Sequence, residues 1–324
     1  MTAQQTADSR LASDPYDLLA DSITRHPGFA AAGKLPVPSW LGPRPSPDDY
    51  ARVNNDSYQL FYNAQGFLKL TNQVSEFVSE RIFPDNPLML GVDHSTSGGV
   101  IKALAQRYGA DQISVIVIDR HFDGIPLSHR VESDAEMVVG SMPFTGIGGS
   151  EYCCGSFLGY LLDNGILPPR NLSLIGVADY PGGEISAAWK NFQTAYLDIE
   201  KRGSRFFPLW EFERSYQERL AQFIDAAITT PYLYVSLDLD VGSFNCVHAA
   251  RYMDGPGISR QNLLDIAAMI ARAVRTGRTV IAGVDVMEFN MHFLNMEVEE
   301  GVHDRTLEVA LEFIRLLLSA TAGS

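Results

Sequence analysis

The chain of 324 residues is 46% hydrophobic and 20% charged, the balance of a folded globular protein with room for a sizeable core. Its 39 acidic and 25 basic residues leave a formal charge of −14 at pH 7, which opposes binding to a phosphate backbone and suits small cationic partners. No apolar run approaches the length of a membrane span, Met1-Thr2-Ala3-Gln4-Gln5 lacks a signal-peptide pattern, and three cysteines (Cys153, Cys154, Cys246) are too few for a disulfide framework. Nucleic acid and membrane are therefore not expected as partners, and the expected compartment is the reducing cytoplasm.

Residues 1–14 are polar and aperiodic and are expected to form a flexible tail. From 15 to about 85 prolines, including the run Pro36-Val37-Pro38-Ser39-Trp40-Leu41-Gly42-Pro43-Arg44-Pro45, divide the chain into helical pieces. Phe67, Leu68, Leu70, Val74, Phe77, Val78 and Ile82 recur at helical spacing over 65–82. This region is expected to be a helical extension packed on a main domain over 86–324.

Strand-helix alternation follows. Pro87–Val92 predicts a strand ending at Asp93-His94, with Ser95-Thr96-Ser97 to cap a helix over 100–108. Ile113–Ile118 predicts a strand ending in Asp119-Arg120-His121-Phe122-Asp123. A long polar, Gly-rich passage runs to Ser150. Residues 152–164 predict a helix closed by Gly165, 172–177 a strand, 195–197 and 205–209 weaker strands, and 211–228 an amphipathic helix. Tyr232–Leu237 predicts a buried strand ending in Asp238-Leu239-Asp240, and 258–274 a helix. Residues 279–284 predict a strand ending in Asp285-Val286-Met287-Glu288, and 306–318 the closing helix. Repeated β-α units with continuous apolar strands imply an α/β fold, a parallel sheet covered on both faces, with its site at the carboxyl ends of the strands.

The polar clusters fall at those ends. Alternate residues of an extended segment point the same way, so Asp119, His121 and Asp123 share a side, as do Asp238 and Asp240. Any one cluster alone is equally a polar loop capping a strand. Together with His94 they give six donors, four of them carboxylates, more than a tetrahedral zinc needs and suited to two divalent ions such as manganese.

Gly91-Val92-Asp93-His94, Asp119-x-His121-x-Asp123, Ser236-x-Asp238-x-Asp240 and Asp285-x-x-Glu288-x-Asn290 resemble, in order, the G-G-D-H, D-x-H-x-D, S-x-D-x-D and D-x-x-E-x-N motifs of the ureohydrolases, the arginases and agmatinases. The motifs span about 87–318 and leave the N-terminal region uncovered. The resemblance implies a three-layer α/β/α fold with a mostly parallel sheet of about eight strands, and a homo-oligomer. It implies two Mn2+, with other divalent ions such as Ni2+ also suited. His94 and Asp123 would hold one ion, His121 and Asp119 would serve across the pair, and Asp238 and Asp240 would complete it. A metal-bridging hydroxide, oriented by Asp123, would attack the central carbon of a guanidine or amidine paired with Glu288, releasing urea and an amine.

Three departures bear on substrate and proton handling. Where the family carries a shuttle histidine in an H-G-[T/M]-P segment, the matching Cys154-Gly155-Ser156-Phe157 places Cys154; Gly140-Ser141-Met142-Pro143 also lacks the histidine. His129 and His248 are alternatives from loops, although the favoured reading of each is an ordinary surface residue. Ile125 stands where arginases bind the substrate carboxylate with asparagine, and Val241–Asn245 replace a family L-D-P. The expected substrate is thus a decarboxylated, agmatine-like or N-substituted guanidine, or a guanidine side chain of a peptide, rather than free arginine. A single-zinc deacetylase-like amidohydrolase and a metal-binding, non-catalytic subunit supporting a homologous partner are the competing readings.

Overall fold

The computed structural model describes residues 14–25, 28–50, 52, 54–125, 151–181, 190–213 and 215–319. Among them the chain runs α1 (Pro15–Thr24), α2 (Pro47–Tyr50), α3 (Asn55–Asn63), α4 (Gly66–Phe77), β1 (Leu88–Leu90), α5 (Ser97–Tyr108), β2 (Ile113–Ile118) and α6 (Phe157–Asp163). It continues with β3 (Leu172–Ile175), α7 (Lys190–Lys201), β4 (Arg205–Phe207), α8 (Tyr216–Ala227), β5 (Tyr232–Asp238), α9 (Arg260–Thr276) and β6 (Val280–Met287). A small antiparallel hairpin, β7 (Glu297–Glu299) and β8 (Val302–His303), precedes α10 (Thr306–Leu318).

Strands β1 to β6 form one parallel sheet in the order β1-β6-β5-β2-β3-β4. This sheet has six strands among the described residues where about eight were expected. The strand periodicity of two divides the core. Ile116 and Ile118 of β2 join Leu220 and Ile224 of α8, Ile266 and Ile270 of α9 and Phe313 and Leu317 of α10 on one face. Val115 and Val117 join Phe67 and Val74 of α4, Ile101 and Leu104 of α5, Leu158 of α6 and Tyr196 of α7 on the other. The result is the α/β/α sandwich that continuous apolar strands require, since a polar face on such a strand would have nowhere to go. Leu19 and Ile23 of α1 lie in the first cluster, so the N-terminal helices contribute to both sides of the core.

Several local expectations are corrected. Residues 195–197 lie in α7, not in a strand; Phe192, Tyr196 and Ile199 recur at helical spacing and bury one face, and Tyr196 packs on Phe122 and Phe206. Helix α6 begins only at Phe157, because residues 153–156 form a turn in which Ser156 Oγ accepts from Cys153 N at 3.1 Å. The amphipathic stretch 211–228 is broken: Leu209–Phe212 form a single tight turn, and α8 starts at Tyr216 after Ser215, which adopts a left-handed backbone. The Thr96 side chain at the N-cap of α5 makes no capping hydrogen bond; Asp93 caps the tight turn His94–Thr96 ahead of it, its carboxylate accepting from Ser95 N at 3.1 Å. No helix among the described residues is long and apolar enough to cross a membrane.

Candidate metal centre

Parallel register brings the polar residues level. Ile118 pairs with Leu237, and Val286 pairs with both Leu237 and Leu90, so the chain leaves β2, β5, β6 and β1 side by side. Asp119 follows β2 and Glu288 follows β6 directly, Asp238 is the last residue of β5, and His94 lies four residues beyond β1. Asp123 and Glu288 take left-handed backbone angles, with φ of 53° and 63°. Such conformations are costly for residues with a Cβ and mark places where the surrounding structure dictates side-chain direction.

The donors gather in two groups. His94, Asp119, Asp123 and Asp238 each offer one atom within 4.8 Å of the others, as do Asp119, His121 and Asp240. His94 Nδ1 lies 3.1 Å from Asp119 Oδ2, 3.2 Å from Asp123 Oδ2 and 3.2 Å from Asp238 Oδ2. His121 Nδ1 lies 2.9 Å from Asp240 Oδ2 and 3.8 Å from Asp119 Oδ1. Asp119 therefore belongs to both groups and His121 to one, its Nδ1 facing Asp240 and Asp119.

Burial and mutual repulsion shift the donors. Burial, then the Asp238 carboxylate, pushes the Asp119 carboxyl up, and burial with Asp238 and Asp119 pushes Asp240 well up. Burial opposes charge on His94, but the carboxylates of Asp119, Asp123 and Asp238 outweigh it and hold the imidazole well above its ordinary value. His121 is likewise raised to about 12: burial disfavours its charge, and Asp240 and Asp254 more than offset this. Crowded buried carboxylates call for positive charge. The buried His94 Nδ1 and Asp119 Oδ2 make no hydrogen bond, although each faces the other at the centre of the first group. Orphaned nitrogen and carboxylate lone pairs turned toward one point are the donor set of a hard or borderline divalent cation, so the residues fit such ions.

Behind each histidine stands a hydrogen-bonding partner absent from the expected site. His94 Nε2 is 2.8 Å from Ser236 Oγ, which donates to Asp285 Oδ1 at 2.6 Å; Tyr234 OH donates to the other Asp285 oxygen. The first residues of two motifs, Ser236 and Asp285, thus hold the His94 ring, a signal present in the sequence and left without a role there. His121 Nε2 is 3.1 Å from Asp254 Oδ2, and no motif marks Asp254.

Glu288 Oε1 accepts from the backbone N–H of His94 at 2.7 Å, and Oε2 is buried with no hydrogen bond. Burial, with Asp238 and Asp93 nearby, pushes its carboxyl well up. The loop that carries it is clamped: Arg251 N–H donates to Glu288 O at 2.9 Å, Met291 N–H to Pro43 O at 2.9 Å, and Arg44 to Met291 O at 2.6 Å. Arg251 also donates to Leu41 O at 2.9 Å and Gly42 O at 2.6 Å, so the Pro-rich segment braces the wall beside Glu288.

The Cys153–Phe157 turn abuts Asp123. Leu158 N–H donates to Asp123 O at 2.9 Å and Ile125 N–H to Gly155 O at 3.2 Å, and Gly159 has no room for a Cβ against Gly124 O. The adjacent Cys153 thiol, then burial, pushes the Cys154 thiol well up, while the same pairing lowers Cys153. Ile125 is fully buried and offers no polar atom. His248 donates from its backbone to Asp304 and Thr306 at the start of α10, and no hydrogen bond joins its ring to the cluster. His129 and Gly140–Pro143 lie outside the described residues.

A model of the arginase family matches residues 6–319, which takes in the N-terminal helices as well as the four motifs. The chain belongs to the arginase family. Members of this family are metal-dependent hydrolases of amidino C–N bonds, and the chain is an enzyme of that class. No curated protein matches it in sequence. Among solved structures it is similar to an arginase from Bacillus subtilis, with 19% identity, a TM-score of 0.61, and coverage of 97% of this chain and 91% of that one. It is also similar to a formimidoylglutamase from Bacillus subtilis, with 19% identity, a TM-score of 0.54 and coverage of 80% and 67%. The agmatine ureohydrolase of Thermoplasma volcanium shows 16% identity, a TM-score of 0.53 and coverage of 78% and 69%. These likenesses show that the arginase fold is shared.

Proposed function

We propose that the chain hydrolyses the C–N bond of a guanidine or amidine at a two-ion centre, releasing urea from a guanidine together with an amine. The observation that carries this reading is Asp119, whose two oxygens face two different histidine-containing groups. One zinc would leave half of that donor set unused. His94, Asp119, Asp123 and Asp238 would hold one ion, and Asp119, His121 and Asp240 the other, with manganese favoured by the oxygen-rich set. Two such ions, when bound, would supply an acidified water and positive charge beside the reacting carbon.

The residues around them complete the chemistry. The unpartnered Glu288 Oε2 would accept from a guanidinium, fixing its plane, while His94 N–H keeps the carboxylate aimed. Asp123 would orient the attacking water. The water's oxygen bonds to the central carbon, the C–N bond breaks, and the departing nitrogen takes up a proton. Cys154, a protonated thiol on the turn hydrogen-bonded to Asp123 and Ile125, would be the donor at the position where the family resemblance implies histidine.

Buried, apolar Ile125 supports a substrate without an α-carboxylate, such as an agmatine-like or N-substituted guanidine or a peptide guanidine side chain. A homo-oligomer in a reducing compartment belongs to the same proposal. The test is urea release by Mn2+-loaded protein from a panel of guanidines with and without carboxylates. Turnover of carboxylate-free members supports the reading. Two bound ions with no turnover of any member, alone or beside a homologous partner, would instead favour the non-catalytic subunit.

A further inference from the structure

The two histidines of the centre are held differently. His94 is fully buried and its Nε2 faces a neutral hydroxyl, Ser236. His121 is 21% exposed at the rim, and its Nε2 faces a carboxylate, Asp254, at 3.1 Å. A histidine that ligates through one ring nitrogen must carry its proton on the other, and a carboxylate behind it both selects that tautomer and raises the basicity of the ligating nitrogen.

Asp254 is itself 60% exposed, and an exposed acid would ordinarily wander. Here it is fixed from several sides. Arg120 Nε donates to Asp254 Oδ1, and Arg120 Nη1 donates to Pro256 O at 2.6 Å. Arg120 thus meets the same carboxylate as His121 and stays only 12% exposed. Gly255 accommodates the guanidinium, since a Cβ there would lie 2.5 Å from Arg120 Nη2. The far end of the loop is tied down by Gly257 N–H to Ser243 O at 2.8 Å and Ile258 N–H to Val241 O at 2.7 Å, both within the turn that follows Asp240.

We infer that Asp254, steadied by Arg120, is the positioning residue for His121, setting its tautomer and ring direction so that Nδ1 faces Asp240 and Asp119, and thereby sets the affinity of one of the two ions. The inference rests on the dimetal reading above. It predicts an asymmetric defect, because the His94 group has its own backing in Ser236 and Asp285.

The test is calorimetric titration of Mn2+ into the chelator-stripped full-length chain. Wild type should show two binding events per chain. Asp254→Ala should weaken one of them by about 10–100-fold and leave the other within about threefold, and Asp254→Asn, which keeps an acceptor without the charge, should lose less. Arg120→Met should weaken the same event by a smaller factor. Because Asp254 is exposed, metal-free Asp254→Asn should melt within about 2 °C of metal-free wild type. Two events in wild type with unchanged affinities in Asp254→Ala would overturn this inference alone, as would equal weakening of both. Wild-type protein that takes up no Mn2+ would overturn the dimetal reading, and this inference with it.

Discussion

His94 Nδ1 and Asp119 Oδ2 lie 3.1 Å apart in the buried heart of the protein, and neither makes a hydrogen bond. A pair of unsatisfied buried polar atoms is costly, by about 1–3 kcal/mol each, unless a third party takes up both lone pairs. Asp119 is the pivot, since its other oxygen turns toward the His121 group. Asp119→Asn should therefore abolish both Mn2+ binding events, whereas Asp240→Asn should abolish one. Calorimetry on the two variants distinguishes these outcomes; a single lost event in Asp119→Asn would contradict the shared role.

The pH dependence follows from the direction of the shifts. Asp119 and Asp240 are pushed above the ordinary carboxylate range, so in the metal-free protein their burial destabilises the fold increasingly as pH rises above the unfolded value near 3.8. His121, raised to about 12, contributes stability that is full below about 6.5 and declines as pH climbs toward its folded value. Both act in one sense: the metal-free chain gains from these groups as pH falls. Metal binding must expel the same protons, so it gains as pH rises. The melting-temperature increment given by saturating Mn2+ should shrink steadily from about pH 8 to about pH 5.5. A constant or growing increment toward acid would contradict this linkage.

Glu288 should separate substrate binding from metal binding. Glu288→Gln preserves shape and one acceptor but removes the charge aimed at a cation, and the loss in kcat/KM should be about 30- to 1000-fold, the scale of one broken buried charge pair of about 2–4 kcal/mol. Both Mn2+ affinities should stay within about threefold, and stability should hold or rise because a buried acid with a raised pKa is removed. Loss of metal in this variant would assign Glu288 to the ligands instead.

Cys154→His tests the proton donor. An imidazole on the turn beside Asp123 titrates closer to neutrality than the raised thiol, and well-placed acid-base help is worth about 10²–10⁴-fold. Urea release should increase at neutral pH with a new ionisation in the rate profile, while Cys154→Ala should fall below wild type. If both variants match wild type, the position takes no part in proton transfer.

Much of this architecture is legible in one dimension because continuous apolar strands dictate a covered parallel sheet, and a parallel sheet dictates where its strand ends meet. Five donors could be named from i, i+2 spacing, Asp119/His121/Asp123 and Asp238/Asp240, and the sixth, His94, from its place after an apolar run. What spacing cannot convey is contact across the chain. Asp254 lies 133 residues from His121, in a loop with no periodic signal, and only the fold brings their side chains together. Arg251 likewise reaches Leu41 and Gly42 across 210 and 209 residues to brace the Glu288 wall. The strand expected at 195–197 fails for the converse reason: three apolar residues satisfy either period, and the burial of Phe192 and Ile199 on the same side decides for helix.

The most direct test is the metal content of the purified chain after reconstitution with excess Mn2+ and removal of free ion, measured by elemental analysis against protein concentration. Two manganese ions per chain, falling to none in Asp119→Asn, is the predicted result. One zinc retained in preference to manganese, or no stoichiometric metal at all, would contradict a two-ion hydrolase built on Asp119.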